Sequence, residues 1–214
     1  MKALIVYGGW AGHEPEKVAA VLEKALKGNG FDVQMSQTLE SFADKDHLLS
    51  LDLIVPNWTM DKLSGEQQQG LCGAVAEGVG IAGTHGGMGD AFREATNYQY
   101  MVGGQFVAHP GGIHEFTVHL CNQLDPIVAG IDHFPLNSEQ YYMHVDPGIT
   151  VLATTVFEAN GVTVPAVWKK MFGRGRVFYS SLGHVAADFD VPQVLEITTR
   201  GMLWAAEGKA AARS

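Results

Sequence analysis

The chain has 214 residues, of which 46% are hydrophobic and 17% are charged, a composition typical of globular rather than disordered proteins. The net charge is −9, and the only clusters of basic residues are GRGR at 173–176 and WKK at 168–170. This distribution argues against nucleic acid or membranes as partners. This length suits a single domain over residues 1–214, with an ordered core from about residue 2 to residue 207.

Cysteine usage and the N-terminal segment bear on the cellular compartment. Cys72 and Cys121 do not form a C-x-x-C pair, so thiolate zinc sites and redox motifs are excluded. Both are expected to be reduced and buried, with a disulfide between them left open. The opening segment MKALIVYGG has no cleavage-like region and is predicted to be a strand, not a signal peptide. Since no run approaches about 18 apolar residues, we expect a cytoplasmic protein.

The first half of the chain is predicted to alternate strands and helices. Apolar runs predict strands at 3–7, 31–36, 51–58 and 80–85, and apolar residues at helical spacing predict helices at 15–28 and 64–78. Such alternation is typical of a mostly parallel sheet flanked by helices. In these sheets ligands bind beyond the carboxyl ends of the strands, so functional residues are expected directly after each strand.

The second half is predicted to add further strands, at 114–120, 139–144, 149–157, 163–171 and 176–184. Pro192 is expected to begin a final helix that ends near residue 207, since proline is favoured in the first turn of a helix. The remaining GKAAARS segment, residues 208–214, is expected to be frayed. The predicted fold class is therefore α/β, with extra strands in the second half.

Histidines are abundant, nine in all, and three of them, His13, His85 and His184, follow predicted strands. Because the carboxyl ends of parallel strands lie at one edge of a sheet, we expect these imidazoles to converge on one crevice, within about 10 Å of one another. His109 and His144 also lie at element ends. Imidazole is a common metal ligand and general base, although a single histidine is more often only hydrogen-bonded or solvated.

His85 occupies the tip of a glycine-bounded turn in the segment GIAGTHGGMGDAF, residues 80–92. Gly83, Gly86 and Gly87 leave little side-chain mass to bury it, and the turn is predicted to lift it above the end of a central strand. We therefore predict that His85 is a site residue rather than a core residue. The alternative is that it only hydrogen-bonds a backbone carbonyl and stiffens the turn.

Signatures for metal and nucleotide binding are weak. No H-E-x-x-H is present, and His114 and His119 would point to opposite faces of a strand. No metal ligand is therefore assigned and no cofactor is expected, although a divalent metal such as zinc stays open. The glycine-rich turns lack both G-x-G-x-x-G and the Gly-Lys-Ser/Thr of a phosphate-binding loop, which argues against a nucleotide.

Aromatic residues at predicted strand ends favour a sugar ligand. Trp10 and Trp58 follow the first and third predicted strands, and Tyr98, Tyr141, Tyr142 and Trp168 lie near other ends or loops. Apolar ring faces combined with directional hydrogen bonds from Asp, Glu and His suit a carbohydrate. The alternative is that most of these rings pack in the core.

Several ordered motifs resemble one protein family. The run GTHGGMGDAFREATNYQYMVGGQFVAHPGG is followed by PIVAGIDHFPLNSEQYY and then by PAVWKKMFGRGRVFYSSLGH. Together with the opening GGWAGHEP, these resemble the ThuA-like proteins, named for trehalose utilisation, over about residues 2–207. The resemblance implies a flavodoxin-like fold of the class I glutamine-amidotransferase type. It also implies a role in carbohydrate metabolism, on disaccharides and their 3-keto derivatives.

The sequence departs from true glutamine amidotransferases at two positions. Those enzymes carry a nucleophilic cysteine at the tip of the turn, where this chain has His85, and a His-x-Glu near the last strand, where this chain has LGHVAADF. Cys72 lies in the middle of a predicted helix and does not replace the missing thiol. Glutaminase activity is therefore not expected.

Three functional hypotheses follow. The first is an enzyme, an isomerase or hydrolase, that acts on a sugar or 3-keto-sugar in the histidine-rich crevice. Its catalytic residues would be His85, His184 and Asp90, and its substrate-binding residues would be Trp10, His13, Trp58, His109, Glu139 and His144. The second is a non-catalytic carbohydrate-binding or regulatory protein, and the third is a metal-dependent hydrolase. A homodimer is expected.

Overall fold

The computed structural model describes residues 1–211 of the chain. The strands β1 to β11 are, in chain order, Lys2–Gly9, Asp32–Ser36, Leu53–Thr59, Gly80–Thr84, Gly104–Ala108, Ile113–Leu120, Phe134–Glu139, Tyr142–Val145, Thr150–Phe157, Val162–Phe172 and Gly175–Ser180. The helices α1 to α6 are Pro15–Gly28, Lys45–Ser50, Gly65–Ala76, His85–Gly89, Thr96–Val102 and Pro192–Ala211. Short 3₁₀ turns cover Ala11–His13, Leu39–Phe42 and Ala186–Asp190.

One large sheet contains nine of these strands, in the order β2-β1-β3-β4-β11-β10-β9-β6-β7, and β5 pairs with β8 in a separate two-stranded sheet. Neighbouring strands from β2 to β11 run parallel. From β11 onward the pairs are antiparallel. The predicted α/β class, a parallel sheet extended by strands from the second half of the chain, is confirmed.

Helices cover both faces of the parallel strands, and β1 shows why its sequence is a continuous apolar run. Ile5 packs in a core with Leu22 of α1 and Ile197 of α6, whereas Leu4 and Val6 belong to a second core on the other face. Side chains alternate between the faces of a strand, so a strand covered on both sides needs apolar residues at every position. Each fully buried side chain of this size stabilises the fold by about 1.5–3 kcal/mol.

The residues at the N-termini of two helices explain why these helices begin where they do. Ser64 caps α3: its Oγ accepts a hydrogen bond from the Gln67 backbone N–H at 3.2 Å, and its own N–H donates to Gln67 Oε1 at 2.8 Å. Such a reciprocal cap satisfies two backbone donors and contributes about 1 kcal/mol. Pro15 opens α1, where the missing N–H of proline has no partner to lose.

The structure corrects three predicted boundaries. The strand predicted at 139–144 is two elements, because β7 ends at Glu139 and β8 begins at Tyr142 in the other sheet. The strand predicted at 176–184 ends at Ser180. Helix α6 continues past residue 207 to Ala211, and the rest of the predicted frayed tail, residues 212–214, lies outside the described residues. The short elements α2, α5 and β5 lack a long periodic pattern, and the sequence analysis missed them.

Two further predictions concern the cysteines and the membrane. Cys72 and Cys121 are both free, as expected, which leaves no disulfide between them. The predicted burial of Cys121 is wrong, since this residue is exposed beyond the end of β6. Within residues 1–211, no helix is long and apolar enough to cross a membrane.

Two glycines of α3 test the packing of this helix. A Cβ at Gly70 would overlap the Phe42 carbonyl oxygen, whereas a Cβ at Gly73 meets no atom within 4 Å. We expect Gly70→Ala to lower the free energy of unfolding by about 1–3 kcal/mol. The matched Gly73→Ala should raise it by about 0.5–1 kcal/mol, because alanine restricts the unfolded chain. Urea denaturation followed by circular dichroism measures both, and equal shifts would contradict this packing.

Candidate functional site

The candidate site lies at the carboxyl ends of the parallel strands. His13 ends the 3₁₀ turn after β1, His85 directly follows β4, and His184 lies four residues beyond β11. Glu139 comes from the antiparallel half of the sheet, as the last residue of β7. Since β7 is the edge strand of the antiparallel half, this carboxylate comes from a part of the sheet that carries none of the three histidines.

Glu139 is the centre of the cluster. Its Oε2 lies 3.2 Å from His85 Nε2, 3.3 Å from His184 Nδ1 and 3.8 Å from His13 Nε2. Its Oε1 lies 3.8 Å from His109 Nδ1. The three strand-end imidazoles have ring centroids 4.8 to 5.1 Å apart, so the predicted convergence of His13, His85 and His184 on one crevice is confirmed.

His85 is held in an unusual backbone conformation. Its φ is 44°, in the left-handed region that residues with a Cβ rarely adopt. The Tyr179 hydroxyl donates a hydrogen bond to the His85 carbonyl at 3.0 Å and fixes this conformation. Such strain is typical of functional turns between a strand and a helix, where it directs one side chain into a site.

The predicted exposure of His85 is wrong, because its side chain is only 1% exposed. The glycines around it do not leave it uncovered, since they let other side chains approach instead. A Cβ at Gly86 would overlap the His13 ring and lie 2.9 Å from the Tyr141 hydroxyl, and one at Gly87 would lie 2.5 Å from Asn57 Oδ1. The glycines of this turn therefore make room for the site.

Hydrogen bonds on the far side of the rings orient two of the histidines. His85 Nδ1 lies 2.8 Å from the Ser181 carbonyl oxygen, which can only accept, so Nδ1 carries a hydrogen. In the neutral form of the ring, Nε2 then carries a lone pair that faces Glu139. His13 Nδ1 is 2.7 Å from Thr59 Oγ1, which leaves its Nε2 toward the cluster. His85 therefore bonds a backbone carbonyl, as in the alternative prediction, and its ring also faces the cluster.

Asp188 holds the segment that carries His184. One of its carboxylate oxygens accepts hydrogen bonds from the His184 backbone N–H at 2.8 Å and from Ser138 Oγ at 2.6 Å. Ser138 is the neighbour of Glu139 on β7. This buried carboxylate therefore ties the chain after β11 to the strand that supplies Glu139, and so fixes two members of the cluster relative to each other.

Burial and mutual repulsion lower the pKa values of two of the histidines, His13 and His184. Burial, followed by the charges of His85 and His184, lowers the pKa of His13 from 6.5 to about 3. Burial also lowers the pKa of His184, and His85 adds to the effect. Burial by itself would raise the pKa of Glu139, but the His85 hydrogen bond and the nearby imidazoles outweigh it and lower the pKa to about 2. The cluster thus combines two imidazoles that favour the neutral form, His13 and His184, with an ionised carboxylate.

Three other predicted site residues line the cavity beside the cluster, which has a volume of about 230 Å³. Trp10 is 48% exposed at its rim and packs its ring edge-on against His13 at 4.7 Å. His109 is partly exposed and stacks on Phe106. Asp90 is buried, and its two oxygens accept hydrogen bonds from Arg93 at 2.6 and 2.9 Å, so it is the partner of a cation.

Trp58 and His144 lie outside this group. The Trp58 ring covers Gly8, and its Nε1 donates to Asp61 at 3.2 Å. His144 is exposed on β8 opposite Gln105 and lines a separate depression. The strand break after Glu139 explains the position of His144, because β8 lies outside the large sheet and carries His144 away from the cluster.

The sequence analysis did not assign four residues that line the cavity: Met60, Arg93, Phe106 and Tyr141. Tyr141 was noted only as one of several aromatic residues, although its position two residues after Glu139 was a usable signal. Arg93 and Phe106 come from segments whose elements are short, so their direction could not be read from periodicity.

The four inner donors fit a divalent cation. One ligand atom from each of His13, His85, Glu139 and His184 lies within 4.8 Å of all the others. A tetrahedral zinc ion with bonds of about 2.0–2.1 Å places its donors about 3.3 Å apart. Observed separations between His85, His184 and Glu139 are 3.2 to 3.3 Å. Hydrogen bonds on the outer nitrogens of His13 and His85 also match those of ligating histidines.

Neither cysteine belongs to the cluster. Cys72 is half-buried in α3, and burial raises the pKa of its thiol to about 11, so it is not a thiolate near neutral pH.

The lowered pKa of His13 predicts how stability depends on pH. Between about pH 6.5 and pH 3 the unfolded chain binds a proton at His13 that the folded chain does not, so the free energy of unfolding should fall as pH falls through this range. One such site contributes up to about 1.4 kcal/mol per pH unit, and Glu139 acts in the same direction below its ordinary pKa.

Denaturation in chelator-containing buffers from about pH 7 to about pH 4 measures this slope. We expect His13→Asn to make it shallower, and His144→Asn, at an exposed position, to leave it unchanged. A wild-type slope that matches that of His13→Asn would contradict the assignment.

Comparison with known proteins gives one family and several structural neighbours. The ThuA family model, described as trehalose utilisation, matches residues 2–205. A ThuA-like protein of Parabacteroides merdae ATCC 43184 is 20% identical, with a TM-score of 0.80 over 98% of this chain and 91% of that one. A ThuA-like protein of Bacteroides uniformis ATCC 8492 is 17% identical, with a TM-score of 0.81 over 96% and 91%.

A third neighbour is a cytoplasmic protein of Salmonella typhimurium LT2, 15% identical with a TM-score of 0.61 over 98% of this chain and 99% of that one. No match was found among proteins with curated functions. At these identities the neighbours show a shared fold. Since the family model covers nearly the whole chain, the protein belongs to the ThuA (trehalose utilisation) family.

Proposed function

We propose that this chain is an enzyme of carbohydrate utilisation that acts on a sugar or 3-keto-sugar, with a divalent cation held by His13, His85, Glu139 and His184. The observation that carries the proposal is the inner cluster itself: three imidazoles and one carboxylate direct their donor atoms at one point. Membership of the ThuA family supports the carbohydrate class.

The hydrogen positions favour a cation in the cluster. In the neutral form of His85 the one N–H is on Nδ1 and donates to the Ser181 carbonyl, so that form has no hydrogen at Nε2 for Glu139. Two electron-rich atoms 3.2 Å apart repel each other unless the ring is protonated or a cation lies between them. Three imidazoles and one carboxylate are the donors that zinc and similar metals prefer.

A catalytic role suits this cluster better than simple sugar binding. Desolvated groups with strongly shifted pKa values are concentrated in active sites, whereas a binding surface has no need for them. A bound divalent cation supplies a Lewis acid that polarises a carbonyl oxygen or lowers the pKa of a water molecule. His109 is partly exposed, faces the cavity and lies outside the inner four, so it is available to exchange protons with a substrate.

The cavity suits one ring of a sugar. Its volume of about 230 Å³ is small, and the Trp10 ring at its rim offers an apolar face to a sugar. Arg93 keeps guanidinium N–H groups beyond the two that bind Asp90, and these are donors for hydroxyl groups. A disaccharide would place one ring in the cavity and the other past Trp10.

The metal content of the protein tests the first part of the proposal. Protein purified without a nickel column should contain about one divalent metal ion per chain by elemental analysis. His13→Ala and His184→Ala should each weaken metal binding at least about 100-fold, because each removes a donor. His144→Ala, outside the cluster, is the matched control and should bind like the wild type.

Two outcomes would contradict this part. One is wild-type protein that binds no zinc, manganese or cobalt in titrations, in which case a protonated His85 paired with Glu139 replaces the cation. The other is His144→Ala that loses metal as strongly as His184→Ala, which would indicate nonspecific binding by surface histidines.

Turnover tests the second part. Metal-loaded protein should convert 3-keto-trehalose and should leave glutamine unchanged. His85→Asn keeps a donor for the Ser181 carbonyl but loses the second nitrogen, and should lower kcat/KM at least about 100-fold without loss of folding. Full turnover by this variant, or glutamine hydrolysis by the wild type, would refute the assignment.

A further inference from the structure

Tyr141 is the aromatic residue closest to the cluster. It lies between the end of β7 and the start of β8, and its side chain is 3% exposed. Its ring stacks on His85 with centroids 3.8 Å apart and packs against Phe106 at 4.4 Å. These contacts hold the phenol in one position at the wall of the cavity.

The Tyr141 hydroxyl differs from those of the neighbouring buried tyrosines. Tyr98 donates a hydrogen bond to the Met88 carbonyl, and Tyr179 donates to the His85 carbonyl. Within residues 1–211, the Tyr141 hydroxyl has no such partner, yet it is not among the buried polar atoms that lack one. The hydroxyl is therefore accessible from the cavity that Tyr141 lines. Buried hydroxyls are normally hydrogen-bonded, so a free one beside a catalytic cluster is available to a ligand.

The phenol keeps its proton. A phenol ordinarily holds its proton until about pH 10. Near neutral pH the hydroxyl is thus a hydrogen-bond donor. Its electron-rich surroundings disfavour a second anion there, but they do not prevent donation to a polarised oxygen.

We propose that the Tyr141 hydroxyl donates a hydrogen bond to the carbonyl oxygen of a keto-sugar bound in the cavity, and stabilises the negative charge that develops on that oxygen. This inference rests on the proposed function and deepens it, because it names the functional group that the site recognises: a ketone rather than another hydroxyl group. Gly86 supports this role, since any side chain there would crowd the Tyr141 hydroxyl.

The charge arises when a proton is removed from the carbon next to the ketone. The C–H electron pair forms a carbon–carbon double bond, and the π pair of the carbonyl moves onto oxygen. The proton passes to a lone pair on the imidazole of His109, and the phenol retains its own proton. Isomerisation of the ketone and cleavage of a bond to the neighbouring carbon both begin with this step, so the role of Tyr141 is common to the two reactions.

Tyr141→Phe tests this role, with Tyr142→Phe as the matched control. Tyr142 is the next residue, but its ring packs against Phe157, away from the cluster. With 3-keto-trehalose as substrate, Tyr141→Phe should lower kcat about 100- to 1,000-fold, the usual loss for one donor to a developing oxyanion. Tyr142→Phe should keep the wild-type kcat, and both variants should keep the wild-type metal content and thermal unfolding midpoint.

A comparison of two sugars separates this role from a structural one. Binding of 3-keto-trehalose, measured by calorimetry, should weaken in Tyr141→Phe, whereas any binding of trehalose, which lacks the ketone, should change equally in both variants. Tyr141→Phe that retains kcat within about twofold, or that loses metal or folding together with activity, overturns the inference. Wild-type protein that neither binds nor converts the keto-sugar overturns the proposed function, and the inference with it.

Discussion

The site depends on one interaction, the contact of the Glu139 carboxylate with the imidazoles around it. The histidines come from the ends of three parallel strands, where their lone pairs and partial charges would repel one another if they faced an apolar cavity. The ionised Glu139 carboxylate lies within 3.8 Å of all three rings, and a proton or the proposed cation between these donor atoms would offset their repulsion. Since Glu139 belongs to β7, at the far edge of the sheet, the antiparallel half of the fold contributes directly to the site.

The structure around Glu139 can be understood as support for this contact. Asp188 connects Ser138, the neighbour of Glu139, to the segment that carries His184. The Tyr179 hydroxyl holds the strained backbone of His85 through a hydrogen bond to its carbonyl, and the Ser181 carbonyl holds its ring. Strain of this kind costs on the order of 1–3 kcal/mol and persists only where the surroundings over-determine it. The same hydrogen bonds therefore hold the strained turn in place and keep the cluster ordered.

The same geometry explains how a fold with a strand–turn–helix corner can support different chemistry. A side chain at this corner is directed beyond the carboxyl ends of the strands, where ligands bind in open α/β sheets. A thiol there would serve as a nucleophile, but an imidazole serves as a ligand or a proton carrier. In this chain three imidazoles and a carboxylate meet at the corner, and this donor set supports the proposed chemistry on a polarised oxygen.

The sequence by itself determined the parallel strands, the main helices and the meeting of His13, His85 and His184, because apolar periodicity locates strands and all parallel strands end at one edge. It named Glu139 as a candidate but not as the centre. Its strand, β7, lies four positions along the sheet from β11, which leads to His184, and no local sequence signal predicts contact over that separation. The break between β7 and β8 was equally hidden, because the segment from Glu139 onward has the composition of one continuous strand. Only the tertiary structure decided that Tyr141 enters the cavity while His144 leaves it, since the direction of a side chain after a strand break depends on the elements that pack against it.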